Sequence, residues 1–222
     1  MFNHISEKYD FLNHFLSLGI DKYWRKRVRK IVARLNPKKI LDVATGTGDL
    51  AIELSKINEV EITGVDIAVK MLEKGKAKIK KKKLEQRISF FDGDAENIKF
   101  NDNEFDVVTV AFGVRNFENI NLGLNEIYRV LNNNGQIVVL EFSKPKVFPI
   151  KQIFNLYFKN LLPFFGRLFS KDKSAYRYLF DSVLKFPDNE DFLRLLEQSG
   201  FEKTKQYRMT FGISTIYIGQ KL

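Results

Sequence analysis

The chain contains no cysteine, and that gap removes a disulfide framework, any thiolate metal centre and any thiol nucleophile. Histidine is nearly as scarce: His4 and His14 are the only two, too few for a histidine-rich metal centre. No apolar run approaches the length of a membrane span, and the opening MFNHISEKYD lacks the apolar stretch of a secretory signal. A soluble cytoplasmic protein is the expectation. The 222 residues suffice for one α/β domain with a sizeable core and a small accessory element. Lys and Arg number 37 against 27 Asp and Glu, a net charge of +10. Such a balance suits nucleic acid, an anionic membrane surface or an acidic substrate. The chain is also rich in Lys, Ile and Asn, as nucleotide bias in a coding sequence would make it, so charge alone selects none of these.

Along the chain, residues 1–35 read as a helical cap. Leu16, Tyr23, Trp24, Val28, Ile31, Val32 and Leu35 recur near one face, bases lie on the other, and Pro37 ends the element. Strand and helix signals then alternate through residues 36–145, from KKILDVA and LAIELSKI to LNEIYRVL and QIVVLEF. That alternation predicts βαβ units and a parallel sheet buried on both faces. An aromatic and basic insertion follows at 146–180, then a helix and two β-rich runs at 181–222. Those runs, KQYRMTF and STIYIGQK, are joined only by FGI and form a hairpin, so one of them must run antiparallel to its neighbours. The lysine run at 74–87 reads as the solvated face of a helix.

LDVATGTGDL (41–50) is a strand-like run breaking into glycines. Gly46 and Gly48 permit backbone angles and close approach that a side chain blocks, and GTGDLA fits the fingerprint of dinucleotide-binding folds. A tight strand-to-helix turn also needs glycine for steric reasons alone. The acids add information. Asp42 stands just before the turn, able to accept from loop amides or from an ammonium. Asp66 ends the second strand, where a carboxylate can take both hydroxyls of a ribose, and GDAE places Asp94 and the Ala95 amide at the end of the third. Ligands of open α/β sheets bind outside the carboxyl ends of the strands. One such acid is readily a helix cap; three at successive strand ends point to a nucleotide-like cofactor.

The order DVATGTG, VD, GDAE, FD-VV, RVLNNNGQIVVLE and a terminal hairpin resembles the class I S-adenosylmethionine-dependent methyltransferases. The resemblance implies S-adenosylmethionine as cofactor. It also implies a Rossmann-like, seven-stranded, mostly parallel sheet with an antiparallel last strand. A dinucleotide dehydrogenase accounts for neither the hairpin nor Asp42. More narrowly, YDFLNHFLSLGIDKYWR (9–25), GDAENIKF, FGVRN (112–116) and LEFSKP (140–145) resemble the UbiE/MenG-type quinone-biosynthesis C-methyltransferases over nearly the whole chain. This implies cofactor contacts by Gly46, Thr47, Asp66, Asp94 and Ala95. Some members carry a serine before the FG pair where this chain has Ala111, and the usual first glycine of the loop is Ala44.

The same resemblance implies a polyprenylated quinol substrate: a demethylmenaquinol, with the corresponding benzoquinol of ubiquinone synthesis as the alternative. FGVRN would end the fourth strand beside the sulfonium. There Arg115, always protonated, can stabilise a developing phenolate and Asn116 can orient a ring oxygen. No metal is called for. Tyr9, Asp10, His14 and water all stay open as proton acceptor. Residues 146–171 read either as a packed insertion or as a lid and contact with an anionic membrane. A nucleic-acid methyltransferase would use the positive charge, but the chain lacks both the N/D-P-P-Y/F signature of amino methylation and a cysteine for cytosine C5. A non-catalytic membrane-associated protein leaves the glycine turn and FGVRN unexplained. The sequence sets no oligomeric state.

Overall fold

The structure, a computed structural model, describes residues 17, 19–156, 178 and 181–222. Its strands are β1 (Lys39–Val43), β2 (Glu61–Asp66), β3 (Ile88–Asp92), β4 (Phe105–Ala111), β5 (Leu131–Phe142), β6 (Glu202–Met209) and β7 (Ser214–Gln220). They form one sheet in the order β3-β2-β1-β4-β5-β7-β6. Five strands are parallel through successive crossovers, and β7 runs antiparallel to both β5 and β6. This is the expected seven-stranded sheet, and β7 is the reversed member of the hairpin.

The helices are α1 (Asp21–Val32), α2 (Asp49–Leu54), α3 (Val69–Lys82), α4 (Ile120–Val130), α5 (Ile150–Leu156) and α6 (Glu190–Gln198). Alternation along each strand divides the core in two. Ile40, Ile62, Val107, Val138 and Leu140 pack under α1, α2 and α3. Leu41, Val43, Val108, Val110, Ile137 and Val139 pack under α4 and α6. With both faces covered, the strands carry near-continuous apolar runs, which is why they stand out in the sequence.

Two expectations shift. On α1 the buried stripe is Asp21, Trp24, Arg25, Val28 and Val32, whereas Tyr23 and Leu35 are exposed. At 100° per residue, position 23 turns away from the 21–25–28–32 face. Leu16 lies outside the described residues. β5 starts at Leu131 rather than at Gln136: Phe105 faces Leu131 but Val107 already faces Gln136, so the NNNG stretch is an irregularity inside the strand.

Phe90 of β3 fixes where α3 and the glycine turn sit. A Cβ at Gly48, Gly64 or Gly75 would meet its ring at 2.4, 2.6 and 2.6 Å respectively. Turn, strand and helix thus close on one ring, and the carboxyl ends of β1 to β4 open together on one edge of the sheet.

Candidate active site

After β1 the chain turns through Ala44 (φ 53°), Gly46 (φ 57°) and Gly48 (φ 80°). Ala44 holds, at a cost of about 1–2 kcal/mol, the left-handed conformation that a glycine takes freely. The turn is clipped to β2. Thr45 N–H donates to the Val65 carbonyl (2.9 Å), and Asp66 receives the Gly46 N–H on Oδ2 and the Ala68 N–H on Oδ1, both at 2.7 Å. Each carboxylate oxygen keeps acceptor capacity beyond one bond. Burial pushes the Asp66 carboxyl above its ordinary pKa against those two donors.

Asp42 is not paired with the loop amides; Asp66 takes the Gly46 amide instead. Asp42 accepts hydroxyl protons from Thr45 and Thr109, each at 2.6 Å. Burial raises its pKa to about 6, opposed by those hydroxyls and by the nearby Arg25 charge, and reinforced by Asp66.

A cavity of about 570 Å³ lies over these strand ends. Its lining follows the strand order: Asp94 and Ala95 beyond β3, Asp66 at the end of β2 with Ile67 beyond it, Asp42 near the end of β1 with the turn beyond it, and Phe112 and Asn116 beyond β4. Gly46 and the buried Thr47 belong to it. Asp94 is exposed, and its Oδ1 accepts the Glu96 N–H at 2.9 Å, so one oxygen shapes its own turn. Ala95 is half-buried beside it.

The lysine run is not uniformly solvated. Lys78 reaches back from α3 to donate to Thr47 Oγ1 (2.7 Å) and Asp49 Oδ1 (2.8 Å), tying the helix to the turn. Nothing in a run of lysines marks the one that faces inward, except that Met71, Leu72, Gly75 and Ile79 define the buried side of that helix.

Beyond β4 the FGVRN segment is a turn, starting at Phe112 (φ 58°) and continuing as a short 3-10 helix, Val114–Asn116. It separates its two polar residues. Asn116 lines the cavity, donating to the Phe112 carbonyl (3.4 Å) and accepting from the Tyr178 hydroxyl (3.1 Å). Tyr178 lines the same cavity; sixty-two residues away in sequence, it carries no local signal. Arg115 turns the other way. Its side chain is 1% exposed and pairs with the fully buried Glu141 at 2.6 Å. Arg115 also donates to the Phe112 carbonyl at 2.8 Å and to Ser182 Oγ at 3.3 Å. It does not line the cavity, so direct contact with a ring oxygen is not its arrangement here. Tyr9, Asp10, His14 and residues 157–171 lie outside the described residues. No helix among the described residues is long and apolar enough to cross a membrane.

Residues 1–221 match the model of the ubiE/COQ5 methyltransferase family. A protein of Bacteroides fragilis named demethylmenaquinone methyltransferase is 44% identical over 222 residues, covering 100% of this chain and 91% of its own length. A protein of Geotalea daltonii named ubiquinone/menaquinone biosynthesis C-methyltransferase UbiE is 44% identical over 223 residues, covering 100% and 94%. Among solved structures, an S-adenosylmethionine-dependent methyltransferase of Aquifex aeolicus superposes with a TM-score of 0.63 at 16% identity, covering 87% of this chain and 88% of that one. Haemonchus contortus phosphoethanolamine N-methyltransferase 2, solved with S-adenosylmethionine, gives 0.65 at 16% identity, covering 96% and 59%.

Proposed function

We propose, of a chain that belongs to the ubiE/COQ5 methyltransferase family, that its substrate is a demethylmenaquinol, methylated on ring carbon to a menaquinol. The chain is an S-adenosylmethionine-dependent methyltransferase. The observation carrying the reading is the single cavity in which the strand-end acids and the pair Asn116–Tyr178 meet. A benzoquinol ring is the second reading, favoured by the relatives named for both quinones. Transfer of labelled methyl from S-adenosylmethionine to each reduced ring, with identification of the product, decides between them. Label in neither product overturns both.

The residues fit the cofactor chemically. Asp66, already oriented by two backbone donors, has acceptor capacity left for ribose hydroxyls. Asp94 and the Ala95 amide stand where an adenine edge needs an acceptor and a donor. Gly46 leaves room at the turn, Thr47 is held there by Lys78, and buried Asp42 offers its charge to an ammonium. When bound, the cofactor supplies an electrophilic methyl on a sulfonium. Asn116 and Tyr178 then hold the ring hydroxyl from the side of β4, with Arg115 positioning the segment that carries Asn116. Contact with an anionic membrane is part of this proposal. It is supported within the described residues by Phe148, 76% exposed, and Val147, 59% exposed, between Lys146 and Lys151.

Asp66→Ala is expected to weaken S-adenosylmethionine binding by about 1.5–3 kcal/mol, the range for hydrogen bonds to a charged group. Calorimetry showing unchanged affinity removes Asp66 from the site. Asp42 makes binding pH-dependent. An ammonium partner favours the ionised acid and lowers its pKa below the value of about 6 in the free protein. Affinity is therefore complete above that pH and falls as pH drops through it, by at most about tenfold per pH unit. Asp42→Asn should bind more weakly at pH 7 and give a flatter profile between pH values of about 5 and 7. An unchanged profile in that variant assigns the titration elsewhere.

A further inference from the structure

Arg25 is a buried cation on the wall of the cavity, 8% exposed. Its place is fixed from behind. Nη1 donates to Asp21, itself fully buried and held by the Ser17 hydroxyl at 2.6 Å. The neighbouring Trp24 pins the helix face by donating to Thr210 Oγ1 at 2.8 Å. The guanidinium lies 5.8 Å from the centroid of the Phe112 ring. Nη2 forms a long ion pair with Asp49 Oδ2 at 3.9 Å, beyond hydrogen-bond distance, and Asp49 is already bonded to Lys78. A guanidinium has five N–H donors, and among the described residues Arg25 spends one hydrogen bond. A buried guanidinium with N–H donors left over beyond its Asp21 and Asp49 pairs, facing a ligand cavity, can take a further acceptor, best a carboxylate.

The wall beside it specifies which anion. Asp42 presents an acid to the same cavity; Asp49 also lines it but is bonded to Lys78, so the β1 end of the site offers the Arg25 cation and the Asp42 acid together. That is the complement of a zwitterion, an α-amino acid group. We infer that Arg25 receives the α-carboxylate of the cofactor's methionine moiety, while Asp42 faces its ammonium. The inference rests on the cofactor reading above. It makes α1, which precedes the sheet and the glycine turn, part of the cofactor site. It also gives the WR dipeptide a divided role, with Trp24 anchoring the helix and Arg25 contacting ligand.

The test compares ligands that differ at that group. Affinities of S-adenosylmethionine, decarboxylated S-adenosylmethionine and 5′-methylthioadenosine are measured by calorimetry on the wild type and on Arg25→Met. Because Arg25→Met takes the cation away from buried Asp21, the double variant Asp21→Asn with Arg25→Met is measured as well. The preference for S-adenosylmethionine over its decarboxylated form should shrink by about 10–100-fold in the variants, the equivalent of one charge-assisted contact. Affinity for 5′-methylthioadenosine should stay within about twofold, since it carries neither charged group. A preference that survives in the double variant overturns the assignment of Arg25 alone. So does equal loss of affinity for all three ligands. If the wild type binds none of them, the cofactor reading itself falls, and this inference with it.

Discussion

Oxidised demethylmenaquinone is expected to yield no methylated product, and the same ring reduced to the quinol is expected to turn over. A sulfonium methyl is an electrophile, and a quinone ring, drained of electrons by two carbonyls, is another. Reduction converts both carbonyls to hydroxyls, and loss of one hydroxyl proton places electron density on the neighbouring ring carbon. That carbon would form the new bond to the methyl that S-adenosylmethionine would supply, breaking the bond from that methyl to sulfur, and the ring proton at the same carbon would leave to restore aromaticity. On the proposed function, the protein's share is to hold the hydroxyl that ionises. Asn116 and Tyr178 supply an amide and a phenol at the cavity wall, 3.1 Å apart. Preorganised donors at a developing oxyanion are typically worth about 10²–10³ in rate. The measurement is product formation under anaerobic conditions with and without a chemical reductant. Equal turnover of the oxidised ring would sink this mechanism.

Arg115→Met is expected to lose both stability and turnover. The Arg115–Glu141 pair is buried on both sides, with side-chain exposures of 1% and 0%. Removing one partner of such a pair costs about 3–5 kcal/mol, because the other charge is left without compensation. Burial already raises the Glu141 pKa against the lowering effect of Arg115, so the variant raises it further. A raised folded pKa means that the native state holds a proton the unfolded state has released. Stability then falls as pH rises above the ordinary carboxylate range, and the loss in Arg115→Met should be larger at pH values of about 7.5 than near 5. Arg115→Met with Glu141→Gln removes both charges and should recover most of that stability. Turnover should stay low in the double variant, because the Phe112 carbonyl loses its 2.8 Å donor and the turn carrying Asn116 loses its brace. Urea unfolding at two pH values, with kcat and KM for both variants, separates these effects. Full recovery of kcat in the double variant would leave Arg115 a purely structural residue.

The contrast between Arg115 and Asn116 shows what the chain disclosed before its fold was known. The glycine turn, Asp66 and the GDAE segment were legible because their signal is local: each follows a strand pattern, and a parallel sheet gathers strand ends on one edge. The hairpin gave the reversed strand for the same reason. What stayed hidden depends on pairs distant in sequence. A buried arginine and a solvated one are the same letter until the partner is known, and Glu141 is twenty-six residues from Arg115. Lys78 was indistinguishable from its neighbours in the lysine run, and Arg25 sat among the bases assigned to the exposed face of α1. In each case a charge that composition assigns to solvent is drawn inward by a partner, on another element for Arg115 and Lys78 and one turn back on the same helix for Arg25.

Phe90 and the glycines around it have a consequence for descent. Two of those backbone sites, 64 and 75 on two elements, owe their missing side chains chiefly to one ring, so those positions and 90 share a fixed volume. A methyl at position 75 in this chain would approach the ring to 2.6 Å, although alanine is the better helix former there by about 1 kcal/mol. In a lineage that shortened Phe90 to leucine, that methyl would fill the vacated space and the helix would gain its propensity. The glycine at 75 is therefore better understood as the imprint of a neighbour than as a hinge. Positions 64, 75 and 90 should be inherited as a set, exchanging volume among themselves. Gly48, held at φ 80°, is bound by its own conformation and should stay out of the exchange.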